Sequence, residues 1–152
     1  MTSPSPQVDS PAIDLAIEKW VTGPNTNIRN EIGKPILIHI FQVNCPGCFT
    51  HGIPEIIEVH NQFKDSPLLV WGLATAFEDF HYNNLENLNK LIHTGEVVGE
   101  TLEALNTRGL LNNNRLDYRL SFPIAWDKIT PYQPEDYLLE TEKFIAKDFP
   151  QF

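Results

Sequence analysis

The apolar positions of this chain fall into two kinds of pattern. The first is the near-continuous run. Ile36-Leu37-Ile38-His39-Ile40-Phe41, rich in β-branched residues, reads as a buried strand, and Leu68-Leu69-Val70-Trp71-Gly72-Leu73-Ala74 reads as a second. The other pattern repeats every three to four residues. Ile53, Ile56, Ile57, His60 and Phe63, with Glu55, Glu58 and Asn61 between them, predict a helix linking the two strands. A strand–helix–strand crossover of this length implies a right-handed parallel βαβ unit. Helical spacing recurs at Ile13, Ala16, Ile17, Trp20 and Val21. That helix would start at Ser10-Pro11 and end at Gly23-Pro24. Two more helices carry Leu85, Leu88, Leu91 and Ile92, closed by Gly95, and Val98, Thr101, Leu102 and Leu105, closed near Gly109. Asn112-Asn113-Asn114 reads as a loop. Ser121-Phe122-Pro123-Ile124-Ala125-Trp126 reads as a short strand whose Pro123 argues for an edge position or a special turn. A last helix is expected from Pro134 to about Lys147, with Glu135 and Asp136 at its start and Lys143 and Lys147 at its end, as the helix dipole favours.

Length and composition narrow this picture. The 152 residues suit one domain. Residues 1–10, rich in Ser and Pro, read as a disordered tail, and residues 11–152 as a single domain. The net charge of −9 argues against nucleic-acid or anionic-membrane binding, because phosphates require basic patches. No apolar run approaches membrane-spanning length. The first residues lack the basic and apolar regions of a secretory signal, so a cytoplasmic location is expected. There is no Gly-rich phosphate loop, which argues against a nucleotide, and no cofactor is expected.

The chemistry concentrates where the first strand turns into its helix. Both cysteines of the chain lie there, in Cys45-Pro46-Gly47-Cys48. The free N–H groups and positive dipole end of a helix N-terminus favour an anion, and a thiol placed there has a lowered pKa. Cys45 would be the exposed nucleophile, with Cys48 within reach to close a disulfide. Pro46 suits the first helical position, and Gly47 leaves the approach to the sulfurs open. A pair of this kind in a reducing compartment points to catalysis or a metal rather than a structural staple. Zinc needs four ligands, one CxxC supplies two, and none of His39, His51, His60, His81 and His93 forms a second pair with ligand spacing, so no metal is expected. His39, in mid-strand, is either a satisfied core histidine or a proton acceptor for Cys48 through one water.

Gly33-Lys34-Pro35 leading into Ile36–Phe41, the Cys45-Pro46-Gly47-Cys48 motif, the following helix with Pro54, the second strand and Phe122-Pro123 together resemble the thioredoxin-like superfamily, in its redoxin/TlpA-like branch, over roughly residues 28–127. The resemblance implies an α/β, thioredoxin-like fold: a central mixed sheet flanked by helices, with a helical insertion at about residues 83–109 before the segment that would carry a cis-proline. It also implies that Cys45 attacks a substrate disulfide, that Cys48 resolves the mixed disulfide, and that Pro123 is the cis-proline holding the substrate backbone. This chain departs from the family in several places. Asn44 stands where an aromatic residue usually precedes the first cysteine, and His39 stands where thioredoxins carry a buried acid. Pro54 comes one residue later than usual, a difference that a bulge in the helix could absorb. About 25 residues follow Trp126, so the expectation is either a remodelled C-terminal part or a truncated form in which the hairpin is missing.

The expected function is thiol–disulfide exchange, reducing disulfide-containing protein substrates. An external thiol reductant, a thioredoxin reductase system by the resemblance, would restore the dithiol. A peroxiredoxin-like thiol peroxidase is an alternative, although Gln42 occupies the place of the hydroxyl residue that such enzymes carry three positions before the cysteine. A non-catalytic binding module of the same fold is the other.

Overall fold

The structure, a computed structural model, describes residues 9–129. In chain order its main elements are β1 (Ile17–Thr22), β2 (Ile36–Phe41), α1 (Ile53–Gln62), β3 (Leu69–Ala74), α2 (Leu85–Thr94), α3 (Gly99–Thr107), β4 (Leu111–Asn112), β5 (Arg115–Leu116) and β6 (Ile124–Asp127). The expected helix from Pro134 lies outside the described residues, as do residues 1–8 of the tail.

The two apolar runs form the parallel pair anticipated for them. Ile36 lies opposite Leu69 and Phe41 opposite Ala74, with α1 in the connection. β6 pairs in parallel with the other side of β3, and β1 closes the sheet antiparallel to β6, giving the order β1-β6-β3-β2. The fold is thus α/β with a central mixed sheet and is thioredoxin-like, and α2 and α3 form the helical insertion between β3 and β6.

One face of the sheet carries Leu37, His39 and Phe41 of β2, Val70 and Ala74 of β3, and Ile124 and Trp126 of β6. All three helices bury residues against this face: Ile53 of α1, Leu88 and Leu91 of α2, and Leu105 of α3 join a single apolar core with Phe41, Val43, Phe49 and Phe122. α2 is bounded as its sequence suggests. Asn84 caps it by accepting from the Asn87 N–H, and Gly95 ends it at φ +76°, a left-handed conformation that costs glycine nothing.

Three sequence expectations are corrected. Residues Ser10–Val21 do not form a helix; residues 11–16 lack regular structure and β1 follows. Helical periodicity loses to tertiary pairing here. β6 needs a partner for its outer edge, and the Trp20 ring packs edge-on against Trp71 at 5.4 Å while its Nε1–H donates to the Thr26 carbonyl. The β1–β6 register is irregular between Ile17 and Lys19 and again between Trp20 and Thr22. Such bulges shift side chains between faces and erase the alternation by which a strand is recognised. The second correction is that β6 lies inside the sheet, not at its edge. Pro123 precedes the first ladder residue, so its missing N–H costs no bond, and its carbonyl accepts from the Gly72 N–H at 2.8 Å. Third, the Asn112–Asn114 loop is the turn of a small hairpin. Asn113 and Asn114 have φ of 52° and 61°, the two successive positive values of a tight primed turn between β4 and β5.

Candidate active site

Beyond Phe41 the chain leaves β2 through Gln42, Val43 and Asn44, all buried, and reaches Cys45. Helical geometry starts at Pro46, so Cys45 stands at the cap position of the helix. Cys45 and Cys48 are joined by a disulfide, with Cα atoms 5.4 Å apart, inside the usual bridging range. The Cys48 N–H also donates to the Cys45 carbonyl at 3.0 Å, and both cysteines are half-buried. Nothing lies within 4 Å of where a Gly47 side chain would start, so the approach to the pair is open, as the sequence implied.

From Cys48 to Gly52 the chain forms a π-helical turn, in which the Ile53 N–H returns to the Cys48 carbonyl. This wide turn takes up the extra residue between Cys48 and Pro54. In the same register the Phe49 carbonyl would accept from residue 54, a proline with no N–H to give. Tyr118 replaces that donor, its hydroxyl bonding the Phe49 carbonyl at 2.9 Å. Burial, with a smaller contribution from Asp117, raises the Tyr118 pKa to about 12 and keeps the phenol a donor.

His39 lies beneath this turn. Its ring stacks on Phe41 with centroids 5.9 Å apart, and a Cβ added to Gly52 would come within 2.8 Å of its Cε1. Gly52 follows Cys48 by one turn, so its lack of a side chain lets the imidazole slide under the cysteine-bearing helix. Nε2 is buried without a hydrogen-bond partner among the described residues. Burial lowers the His39 pKa from 6.5, which keeps the ring neutral at pH 7. His51 is exposed and pairs with Thr50.

Pro123 is not brought to the cysteines. Ile124, its successor, is level with Gly72, which in turn is level with His39 of β2. Pro123 therefore sits by the middle of the strands, two strands from β2, whereas Cys45 lies beyond the C-terminal end of β2. Pro123 packs on Gly23 at the end of β1, where an added Cβ would come within 2.5 Å of its own Cβ. The Phe122–Pro123 bond is trans, like every other peptide bond of the described residues. A substrate-holding cis-proline at this position is therefore corrected.

Sequence reasoning missed a set of buried polar side chains around Asn44. The Asn44 backbone N–H donates to Asn83 Oδ1 at 2.6 Å, and Asn83 Nδ2 donates to Gln42 Oε1 and the Glu78 carbonyl. Asn44 Oδ1 accepts from the Thr101 N–H at 3.2 Å, and Asn44 Nδ2 donates to Asp79 Oδ2 at 3.2 Å. The one available signal was Asn44 itself, a polar residue where the resembled family places an aromatic one. On the outer side, a surface hollow of about 400 Å³ adjoins Pro46 and is bordered by Glu100, Glu103, Thr107 and Arg108 along α3.

Comparison with known proteins agrees with this architecture. Neither a protein-family model nor a curated protein matches the sequence. Among solved structures, the chain is similar to a thioredoxin-like superfamily protein at 26 % identity and a TM-score of 0.54, covering 77 % of this chain and 62 % of that one. The chain thus spans less than two thirds of that relative's length. It is also similar to a thiol-disulfide isomerase from Corynebacterium glutamicum at 24 % identity and a TM-score of 0.55, covering 87 % of this chain and 74 % of that one.

Proposed function

We propose that the chain is a thiol–disulfide oxidoreductase that reduces protein disulfides. The observation carrying this reading is a disulfide between the only two cysteines at a strand-to-helix junction, half-exposed and with open space over Gly47. In the reduced protein, Cys45 at the helix cap is the thiolate, since the dipole end favours its charge. It attacks one sulfur of a substrate disulfide, forming a mixed disulfide and releasing the other substrate sulfur as a thiolate. Cys48 gives its proton to a base and attacks the Cys45 sulfur. The Cys45–Cys48 bond forms and the second substrate sulfur leaves, so two electrons have passed from protein to substrate. His39 is the base we assign to this step, acting through one water. Its support is its position under the turn that follows Cys48 and its neutrality at pH 7.

An external thiol reductant returns the dithiol, and a reducing, cytoplasmic setting would drive the flow towards substrate reduction. The hollow beside Pro46 gives the substrate chain a place to lie along α3. Among the described residues, no helix is long and apolar enough to cross a membrane.

The test is reduction of insulin disulfides by dithiothreitol with catalytic amounts of the protein. The wild type should accelerate the reaction, Cys45→Ser should abolish the acceleration, and Cys48→Ser should trap a mixed disulfide on Cys45. Equal rates with wild type and Cys45→Ser would leave a binding module as the better description.

A further inference from the structure

We propose that Asn83 and Asn44 are positioning residues that hold the peptide entering Cys45 in its ring-closing geometry, and so set how readily the cysteine pair oxidises. The proposal rests on the reading of Cys45 and Cys48 as a cycling pair. Its basis is a polar network buried within an otherwise apolar core. Gln42, Asn44, Asn83 and Thr101 are each at most 6 % exposed.

Each amide is used at both ends. Asn83 Oδ1 takes the Asn44 backbone N–H, one residue from the nucleophile, while its NH₂ group reaches Gln42 Oε1 at 3.3 Å and the Glu78 carbonyl at 2.9 Å. Gln42 Oε1 also accepts from the Phe77 N–H at 3.0 Å, and Gln42 Nε2 reaches Glu78 Oε1 at 3.4 Å. The loop after β3 is thereby clamped to the exit of β2. On the other side Asn44 Oδ1 caps α3. Val98, the cap residue of α3, offers no side-chain acceptor, and the Thr101 N–H finds one in Asn44 instead. Thr101 Oγ1 returns a bond to the Val43 carbonyl at 3.4 Å. Gly99 permits this approach, because an added Cβ would meet Asn44 Oδ1 at 2.6 Å. Residues 42–44 are thus held from two directions by separate parts of the insertion and its entry loop.

Forming the Cys45–Cys48 bond is an intramolecular closure. Its equilibrium constant against glutathione has units of concentration and measures how well the two sulfurs are held for each other. In that exchange one oxidised glutathione is reduced to two thiols as the protein dithiol becomes a disulfide. Freeing the peptide before Cys45 gives the open dithiol more conformations and leaves the ring form unchanged in number. Oxidation becomes less favourable.

The experiment is redox titration of the full chain in glutathione buffers, with free thiols counted after acid quench. Asn83→Ala and Asn44→Ala should each lower the oxidation constant by about tenfold, which is about 30 mV towards a more oxidising pair. Asn27→Ala is the control. Asn27 makes the same kind of bonds, to the Leu15 backbone and the Ile28 N–H, but lies near β1. It should lower thermal stability and leave the potential unchanged. Should Asn83→Ala not fold, Asn44→Ala, which keeps the backbone bond to Asn83, reads the same quantity. Unchanged potentials in the network variants, or an equal shift in Asn27→Ala, would overturn the proposal. A wild-type protein with no reversible two-electron transition would instead overturn the reading of the site.

Discussion

Replacing His39 by leucine separates stability from chemistry at this site. Among the described residues no protein group pairs with the buried Nε2, and burial has already moved the pKa down from 6.5. A buried acceptor left unpaired costs about 1–3 kcal/mol. Leucine removes that cost and fits beside Gly52 without adding a polar atom. It gives up the stacking on Phe41, a contact of about 0.5–1.5 kcal/mol. The net is a gain of about 1 kcal/mol, which in a protein of this size raises Tm by about 3 °C. The gain grows in acid. Between 6.5 and the lower folded value the unfolded chain binds a proton at His39 that the folded chain does not, so wild-type stability falls as pH drops through this window. In His39→Leu that part of the pH dependence disappears. Denaturant unfolding at pH 7.5 and pH 5 measures both effects. The chemistry should move the other way. With Ellman's reagent, Cys45 of the reduced protein releases one chromophore and Cys48 releases the second when it resolves the mixed disulfide. Loss of the proton acceptor should slow the second release by about a hundredfold, the lower end of general-base contributions. A variant less stable than wild type at both pH values would refute the unpaired-nitrogen argument. An unchanged second phase would refute the role in resolution.

Tyr118→Phe removes the substitute donor of the π-turn and leaves the Phe49 carbonyl unpaired, which should cost about 1 kcal/mol in chemical denaturation. Wild-type stability should also decline as pH rises from 10.0 towards 12, because there the unfolded tyrosine ionises before the folded one, and the Phe variant should lack this decline. Gly99→Ala forces a side chain into φ +57° and against Asn44 Oδ1, so it should destabilise by about 1–3 kcal/mol and shift the amide resonances of Asn44 and Thr101.

The parts of this fold that could be read from sequence are those whose local pattern and tertiary role agree. Leu69–Ala74 is buried on both faces inside the sheet, and such strands keep long apolar runs; Ile36–Phe41 carries a similar run although it lies at the edge of the described sheet, half-buried and with Ile40 exposed. Leu85–Thr94 carries its own cap and stop signals. β1 was not readable because its bulges scramble the alternation, and because the case for a strand at Ile17–Thr22 lies in the open edge of β6, a hundred residues away. The β4–β5 turn was readable in principle, since consecutive asparagines tolerate two positive φ values, but Asn-Asn is a weaker signal than Asn-Gly.

The site divides along the same line. Cys45 and Cys48 declare themselves by spacing, and the late position of Pro54 foretold a bulge that the π-turn supplies. Pro123 misled because a proline before a short strand looks the same whichever strand it precedes, and only the sheet order separates the two cases. His39, Asn44 and Gln42 form a third group. Each is a polar residue in or directly after the apolar run of β2, and each would weaken an ordinary strand end. His39 and Asn44 stand where the resembled family uses an acid and an aromatic residue. Asn44 and Gln42 find amide partners on the insertion and its entry loop, and His39 finds the gap left by Gly52. Polar residues in a core endure where their partners are fixed, because a half-satisfied network costs more than an apolar one. Gln42 and Asn44, together with Asn83, Gly99 and Thr101, therefore make one physical unit. Changing any one alone should cost stability, whereas an aromatic residue at 44 would demand the removal of its partners as well.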